Sequence, residues 1–376
     1  MSDRSTMLGE SLCEDEIRPE ALLKPHLEAF HRDVERLKSQ RSTFVEVPCP
    51  GCEAQAVRPA FEKYGFRYVT CERCGTLFMT PRPSAEAMAR HYADSDNYRF
   101  WVSHLFPASE SARRKKLHEP RLDRVVRSCK RFSIPRGTLL EVGPGAGTFC
   151  AIAAASGAFD HVVAIEPVRE LAEACRARGV RVINKCIEEI SDEIDPVDVA
   201  VAFEVIEHVF SPRRFLERCH RLLRPGGQLV LTCPNGEGFD IALLGRESVA
   251  IDPGHINLFN PASLGLLLES CGFELLEAAT PGRLDAELVR KAIQEDRFDV
   301  SQQPFLRRVL IDDWERLGWP FQQFLAENGL SSHLWVVARK ESGVILRVHD
   351  RLVEKNAPAD RVDRRVTARP QIVEAP

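Results

Sequence analysis

Short apolar runs and amphipathic stretches alternate along the middle of the chain. Thr138–Val142 reads as a short buried strand and Phe149–Ser156 as a helix; His161–Ile165 repeats the strand and Val168–Arg178 the helix. Val180–Asn184 and Val197–Phe203 are further apolar runs of strand length. Pro212–Leu223 has helical spacing, and Gln228–Thr232 follows the turn Arg224-Pro225-Gly226-Gly227 as another strand. Pro261–Ser270 reads as a helix, Phe273–Ala279 as a strand and His333–Arg339 as the last strand. This rhythm predicts an α/β fold: a seven-stranded, mostly parallel, doubly wound (Rossmann-like) sheet with helices on its faces.

The flanks are patterned differently. Residues 1–42 form a polar extension with one helix, Ala21–Lys38, on which Leu22, Leu23, Leu27, Phe30, Val34 and Leu37 recur at helical spacing. Residues 43–80 hold short β-prone pieces around paired cysteines. Pro81-Arg82-Pro83-Ser84 then breaks the chain, and Ser84 is placed to cap a helix running to about Tyr92. The remainder of 81–136 is a helical and aromatic linker. Its segment Tyr92–Phe106 reads either as a lid or as ordinary core, and a basic helical stretch follows from Arg113 to Arg131. The α/β unit occupies 137–340, with a mostly helical insertion at about 283–332 that carries Trp314, Trp319, Phe321 and Phe324. The polar stretch 341–376, charged from about Lys355, is expected to be flexible.

Composition narrows the class. The chain of 376 residues is 44% hydrophobic and 28% charged, as an ordinary globular protein is. Its formal net charge of -4 provides no global attraction for nucleic acid or anionic membrane. The first residues, MSDRSTMLGESLCEDE, lack the basic and apolar regions of a signal peptide. No apolar run approaches the ~20 residues that span a bilayer. A cytoplasmic protein is expected.

In that compartment 12 cysteines do not imply a disulfide framework. Eight of them (Cys13, Cys129, Cys150, Cys175, Cys186, Cys219, Cys233, Cys271) stand singly and read as small buried hydrophobes. The other four form two knuckles, Cys49-Pro-Gly-Cys52 and Cys71-Glu-Arg-Cys74. Two such turns facing each other supply the four thiolates of a tetrahedral zinc site, and Gly51 and Gly75 suit the turns. The four cysteines leave no open coordination position, so the expected zinc is structural and the small domain ahead of the sheet is a zinc ribbon.

Leu140-Glu141-Val142-Gly143-Pro144-Gly145-Ala146-Gly147 ends a strand and opens a helix, where glycines admit a ligand to the backbone and free amides face it. Glu166 ends the second strand, where a carboxylate can accept from both hydroxyls of a ribose. The fourth strand ends in Phe203-Glu204-Val205-Ile206-Glu207-His208, and Leu223-Arg224-Pro225-Gly226-Gly227 introduces the fifth. In this order the four elements resemble the class I S-adenosylmethionine-dependent methyltransferases, over about 137–280 and the last strand. The resemblance implies that Glu141, Gly143, Gly145 and Gly147 line the methionine end of S-adenosylmethionine and that Glu166 binds its ribose. It also implies that Phe203 and Glu204 flank the methionine, and that Cys186, Ile187 and Glu188 face the adenine. Many family members have an aspartate followed by an apolar residue at that last place, and Cys186 departs from the pattern.

Methyl transfer to oxygen or carbon needs a base. His208 follows the fourth strand, where it can act as base or only pack; His255 lies in Asp252-Pro253-Gly254-His255, similar to the Gly-His segment of small-molecule O-methyltransferases, where it can act in the site or only shape the loop. The run Arg113-Arg114-Lys115-Lys116 reads as a solvated helix face or, alternatively, as a phosphate-recognition element. A ribbon ahead of this domain resembles bacterial sugar C-methyltransferases and bacterial small-molecule methyltransferases that share the Pro-Arg-Pro-Ser element. The implied acceptor is a small molecule or nucleotide-sugar, methylated on oxygen or carbon. A zinc-ribbon methyltransferase of RNA is the alternative, disfavoured by the net charge; a catalytically inactive cofactor-binding scaffold is the third reading.

Overall fold

The structure is a computed structural model and describes residues 10–341; beyond Glu341, the stretch expected to be flexible lies outside the described residues. The paired cysteines sit among β1 (Val57–Lys63), β2 (Phe66–Cys71) and β3 (Leu77–Met79), an antiparallel meander. The central sheet takes up β4 (Thr138–Val142), β5 (His161–Ile165), β6 (Arg181–Ile183), β7 (Val197–Phe203) and β8 (Leu223–Pro234). A two-residue strand, β9 (Asn257–Leu258), precedes the last pair, β10 (Phe273–Ala279) and β11 (His333–Lys340).

The seven-stranded sheet has the order β10-β11-β8-β7-β4-β5-β6. Strands β4 to β8 pair in parallel, whereas β11 runs antiparallel to both β8 and β10. Both faces are covered, so every residue of β7 is buried. The alternation along β7 sorts its side chains cleanly. Val199, Val201 and Phe203 join Leu139, Phe149 and Trp335 on one face; Ala200 and Ala202 join Leu140, Phe215 and Leu231 on the other. Strand order reverses between β4 and β7, and ligands of open α/β sheets bind beyond the carboxyl ends of the strands at such a switch point.

The sheet strands and most helices fall where the hydrophobic pattern places them. Six of the eight single cysteines are buried; Cys13 is exposed and Cys186 half-buried, each in a polar stretch with no apolar partner. The basic helix expected from Arg113 begins further upstream. Helical backbone runs from Asp96 to Arg131 through two wide turns, Trp101–Leu105 and Arg114–His118. Pro107 and Pro120 lie just after these turns. A proline cannot donate to the carbonyl one turn back, and widening the helix ahead of it keeps the run continuous.

The pairing of β9 is not visible in the pattern. This strand adds to the edge of β3, Leu77 opposite Leu258 and Phe78 opposite Asn257, so the ribbon's sheet is completed by a segment of the α/β unit. A shared core backs the junction: Tyr68, Leu77 and Met79 of the ribbon pack with Val34 and Leu37 of the N-terminal helix and with Ile256 and Leu258. Arg82, from Pro-Arg-Pro-Ser, is 1% exposed and donates to Met79 O, Phe210 O and Asn257 Oδ1. Ser84 caps its helix as expected, its Oγ accepting from Ala87 N.

Candidate active site

The carboxyl ends of β4, β5 and β7 open into a cavity of about 1710 Å³. Sites for one drug-sized ligand enclose about 300–1,000 Å³, so this space accommodates two molecules side by side. Its floor is the turn after β4. Gly143 has φ 68° and a Cβ there would meet Val205 at 2.8 Å; Gly145 has φ 57° and nothing within 4 Å of where a Cβ would stand, on the cavity side. Only glycine leaves that open cradle without strain. Gly147 has a different task. It does not line the cavity; its φ is 80°, and a Cβ would lie 2.7 Å from Cys175 Sγ and 3.1 Å from Cys175 Cα. It lets two helices approach, and Gly147→Ala should cost about 1–3 kcal/mol from the left-handed backbone alone, with the clash added. A urea midpoint that stays put would contradict this assignment.

Glu141, on the same face of β4 as Leu139, accepts a hydrogen bond from Cys150 Sγ at 2.8 Å. Glu166, at the end of β5, accepts from Val168 N at 2.9 Å. Both are 3% exposed and line the cavity, and burial pushes each carboxyl up to about 7. Ile187, with Cys186 and Glu188 beside it, and Phe203 line the same space, as the sequence places them.

Glu204 follows β7 with a positive φ of 57°, a conformation a non-glycine residue adopts at a cost. Its Oε1 is bound by Thr232 Oγ1 at 2.6 Å, His333 Nε2 at 2.8 Å and Arg121 Nη2 at 3.1 Å. Burial alone would push this carboxyl up, but His333, Arg121 and Thr232 together hold it below the usual carboxylate range. Glu207 is the opposite case. Its side chain is fully buried, neither oxygen has a hydrogen-bond partner, and burial followed by the charge of Glu204 pushes it well above the usual range.

His208 and His255 come together, ring centres 4.7 Å apart. His208 Nδ1 bonds Gly254 O at 2.9 Å and His255 Nδ1 bonds Ala250 O at 2.7 Å. Each bond puts the proton on Nδ1 and leaves Nε2 as an acceptor. Burial, then the neighbouring His255, lowers His208 to about 4, so it is neutral at neutral pH. Asp252 Oδ2 stands 3.4 Å from His255 Nδ1, and Asp252 Oδ1 accepts from the amides of Gly254 and His255. Although burial opposes it, the two imidazoles and these amides keep Asp252 below the usual carboxylate range. Donor atoms of Glu207, His208 and His255 lie within 4.8 Å of one another, a group able to take a cation or to handle protons.

The aromatic segment read from the sequence as lid or core contributes to this wall. Tyr92 donates to Gly254 O at 3.4 Å and stacks edge-on to His208; Tyr98, Trp101 and Phe106 also line the cavity. So do Leu23, His26 and Phe30 of the N-terminal segment, for which the sequence carries no signal beyond an apolar helix face.

The four knuckle cysteines gather away from the cavity. Cys49 Sγ lies 3.4 Å from Cys74 Sγ and Cys52 Sγ 3.6 Å from Cys71 Sγ, all four within 4.8 Å. Sulfurs at ~2.3 Å from one tetrahedral ion stand roughly 3.8 Å apart, so the donor set fits zinc. The ribbon also reaches the loop that bears His255. Tyr68 of β2 donates to Asp252 O at 2.7 Å, Met79 N to Ile256 O at 3.1 Å and Lys63 Nζ to Ser248 O at 2.8 Å.

Comparison with known proteins adds the family. A family model described as a methyltransferase domain matches residues 112–278, a span that includes Glu141, Glu166, Glu204 and both histidines. A ubiquinone biosynthesis O-methyltransferase of Xylella fastidiosa (strain M23) is 31% identical over 175 residues, 43% of this chain and 70% of that protein. Its counterpart in strain 9a5c is 30% identical over 205 residues, 50% of this chain and 80% of that protein. A probable S-adenosylmethionine-dependent methyltransferase of Mycolicibacterium smegmatis is 32% identical over 133 residues, 32% of this chain; the match spans 50% of that protein. Among solved structures, a putative sarcosine dimethylglycine methyltransferase from Galdieria sulphuraria aligns with TM-score 0.42 and 15% identity, covering 60% of this chain and 87% of that one.

Proposed function

Because the chain belongs to the S-adenosylmethionine-dependent methyltransferases, we propose that it methylates a hydroxyl of a small molecule, with His255 as the base. The observation that carries this reading is the His255–Asp252 pair at 3.4 Å, on the same cavity as the open cradle at Gly145 and the carboxylate of Glu166. S-adenosylmethionine, when bound, supplies an electrophilic methyl on a sulfonium, and its transfer is an in-line displacement in which positioning carries much of the rate.

The chain's own residues divide the work. Gly143 and Gly145 give the methionine end room, and Glu141 would accept from its ammonium group. Glu166 would accept from the ribose hydroxyls, and Ile187 would pack against the adenine. Glu204, held by Arg121, His333 and Thr232, keeps its charge beside Phe203 at the end of β7. His255 would take the hydroxyl proton at Nε2, its ring held in place by Ala250 O and the nearby Asp252 carboxylate. His208, neutral and bonded to Gly254 O, would orient that loop. Cys49, Cys52, Cys71 and Cys74 would hold zinc as a brace.

The names of the curated relatives support an O-methyl product, and a cavity with aromatic walls supports a small acceptor over RNA. A nucleotide-sugar remains within the same class. The test is a product screen by mass spectrometry with hydroxylated aromatic compounds, nucleotide-sugars and ribosomal RNA. Methyl label in RNA alone would overturn the reading.

Glu166 carries a pH prediction. A carboxyl raised to about 7 in the fold binds its proton more tightly than the unfolded chain does. The ligand-free protein therefore loses stability as pH rises from about 4.5 to about 7. Hydroxyl donors favour the ionised form, so affinity for S-adenosylhomocysteine should rise through pH 7. Calorimetric titration between pH 5.5 and 8.5 reads this; a flat profile, or an unchanged slope in Glu166→Gln, would contradict it.

A further inference from the structure

The basic run Arg113-Arg114-Lys115-Lys116 is split by the fold. Arg114 pairs with Glu119, Lys116 pairs with Glu16, and Lys115 points outward. Arg113 alone turns inward to the cavity. Its Nε donates to Ser109 Oγ at 2.9 Å and its Nη2 to Ile17 O at 2.8 Å, while the guanidinium lies over Trp101 and Phe106, 5.3 Å from each ring centre. Nη1 has no hydrogen-bond partner among the described residues, and no carboxylate pairs with this group.

A second guanidinium is in the same position. Arg283, from the turn that opens the helical insertion, lines the same cavity. Among the described residues it donates only to the backbone oxygens of Glu10 at 3.3 Å and Lys116 at 2.6 Å. Arg121 lines the same cavity, and its charge acts on both. His118 lines the cavity beside them, with its Nδ1 buried and unpartnered.

Four carboxylates in this region already have partners. Glu14 is bound by Arg18 and Lys291, Glu16 by Lys116, Glu110 by Arg178 and Thr148, and Glu204 by Arg121 and His333. The wall therefore holds two half-buried guanidiniums with no carboxylate paired to them among the described residues. Desolvated charge of one sign is costly unless a counter-charge arrives, and here Glu110 and Glu16 act on the two guanidiniums without pairing with them, each being held by another cation. Burial lowers Arg113 to about 9 and Arg283 to about 10, which registers the same deficit. The planar fork of arginine suits a two-oxygen anion, carboxylate or phosphate, better than a point charge would.

We infer that Arg113 and Arg283, backed by Arg121, form an anion-recognition subsite, so that the methyl acceptor carries a phosphate or carboxylate group. This rests on the methyltransferase reading and specifies its substrate class. The cavity's size fits it: one end takes the methyl donor, the other an acceptor anchored by its charge.

The experiment uses the full chain saturated with S-adenosylhomocysteine. Inorganic pyrophosphate and benzoate serve as probes, and sodium chloride at equal ionic strength as the control. Melting temperature and calorimetric affinity should rise with at least one probe beyond chloride. Tighter pyrophosphate binding assigns a phosphate, tighter benzoate binding a carboxylate. Arg113→Gln and Arg283→Gln should each weaken that binding about tenfold or more, the scale of a lost charge-assisted hydrogen bond. Arg113→Lys, which keeps the charge without the fork, should fall between. Affinity for S-adenosylhomocysteine should match the wild type in every variant, which shows that the variants fold. The inference is overturned if neither anion exceeds chloride, or if both glutamine variants bind the anion as the wild type does. Failure of the wild type to bind S-adenosylhomocysteine would instead overturn the methyltransferase reading beneath it.

Discussion

Replacing His255 by alanine should lower kcat about 10²–10⁴-fold, the range that a positioned acid–base group contributes, with affinity for S-adenosylhomocysteine unchanged. The two candidate bases, His208 and His255, both line the cavity, and their surroundings separate them. His208 is half-buried, lowered to about 4 and bonded to a backbone carbonyl, so it is a poor proton acceptor at neutral pH. His255 has Asp252 Oδ2 3.4 Å from its Nδ1 and Ala250 O bonded to the same nitrogen, which holds the ring and leaves Nε2 as the acceptor. Asp252→Asn should lower kcat in the same direction, because Asp252 Oδ1 also accepts from the amides of Gly254 and His255 and so fixes the loop that carries the base. His208→Ala should act mainly through KM and through the order of the loop at Gly254. Turnover of His255→Ala equal to the wild type would remove the base from this position and with it the proposed chemistry.

Cys71→Ser should have the largest effect on stability. Losing a metal ligand belongs to the short list of changes that exceed about 4 kcal/mol, since ion binding to such a site is folding energy. The expected signs are loss of zinc, measured by plasma mass spectrometry at one ion per chain in the wild type, and a melting transition lowered by well over 10 °C. Turnover should suffer before cofactor affinity does. β3 holds β9, Met79 binds Ile256 and Tyr68 binds Asp252, whereas the glycine turn and Glu166 sit on the central sheet away from the ribbon. A wild-type protein purified without zinc, or a serine variant that melts unchanged, would contradict this account.

What the sequence makes legible here is what depends on near neighbours. The strand pattern places β4 to β8, Gly143, Gly145 and Glu166 fall on the cavity at the strand ends, and the spacing of Cys49 to Cys74 marks a donor set. Residues whose meaning comes from distant partners are not legible in this way. Arg113 is one of four adjacent basic residues, and nothing local says that it alone turns inward. Gly147 belongs to the glycine motif, yet its neighbour is Cys175 on the next helix. Glu207 and Glu204 are three apart on one turn, but Arg121, His333 and Thr232 attend only the second. β9 escapes altogether, because two residues are too few to show a period.

That short strand also sets the timetable on the ribosome. All four ribbon cysteines leave the exit tunnel early, and nothing prevents them from gathering an ion while the rest of the chain is still being made. The edge of β3, however, waits for Asn257 and Leu258, which follow most of the central sheet. Through that interval the nascent chain displays an unpaired strand edge, the kind of template on which foreign strands add. Elongation that stalls between residues 79 and 257 would hold the molecule in its most adhesive state, so the speed of translation over the α/β unit bears on the solubility of the ribbon.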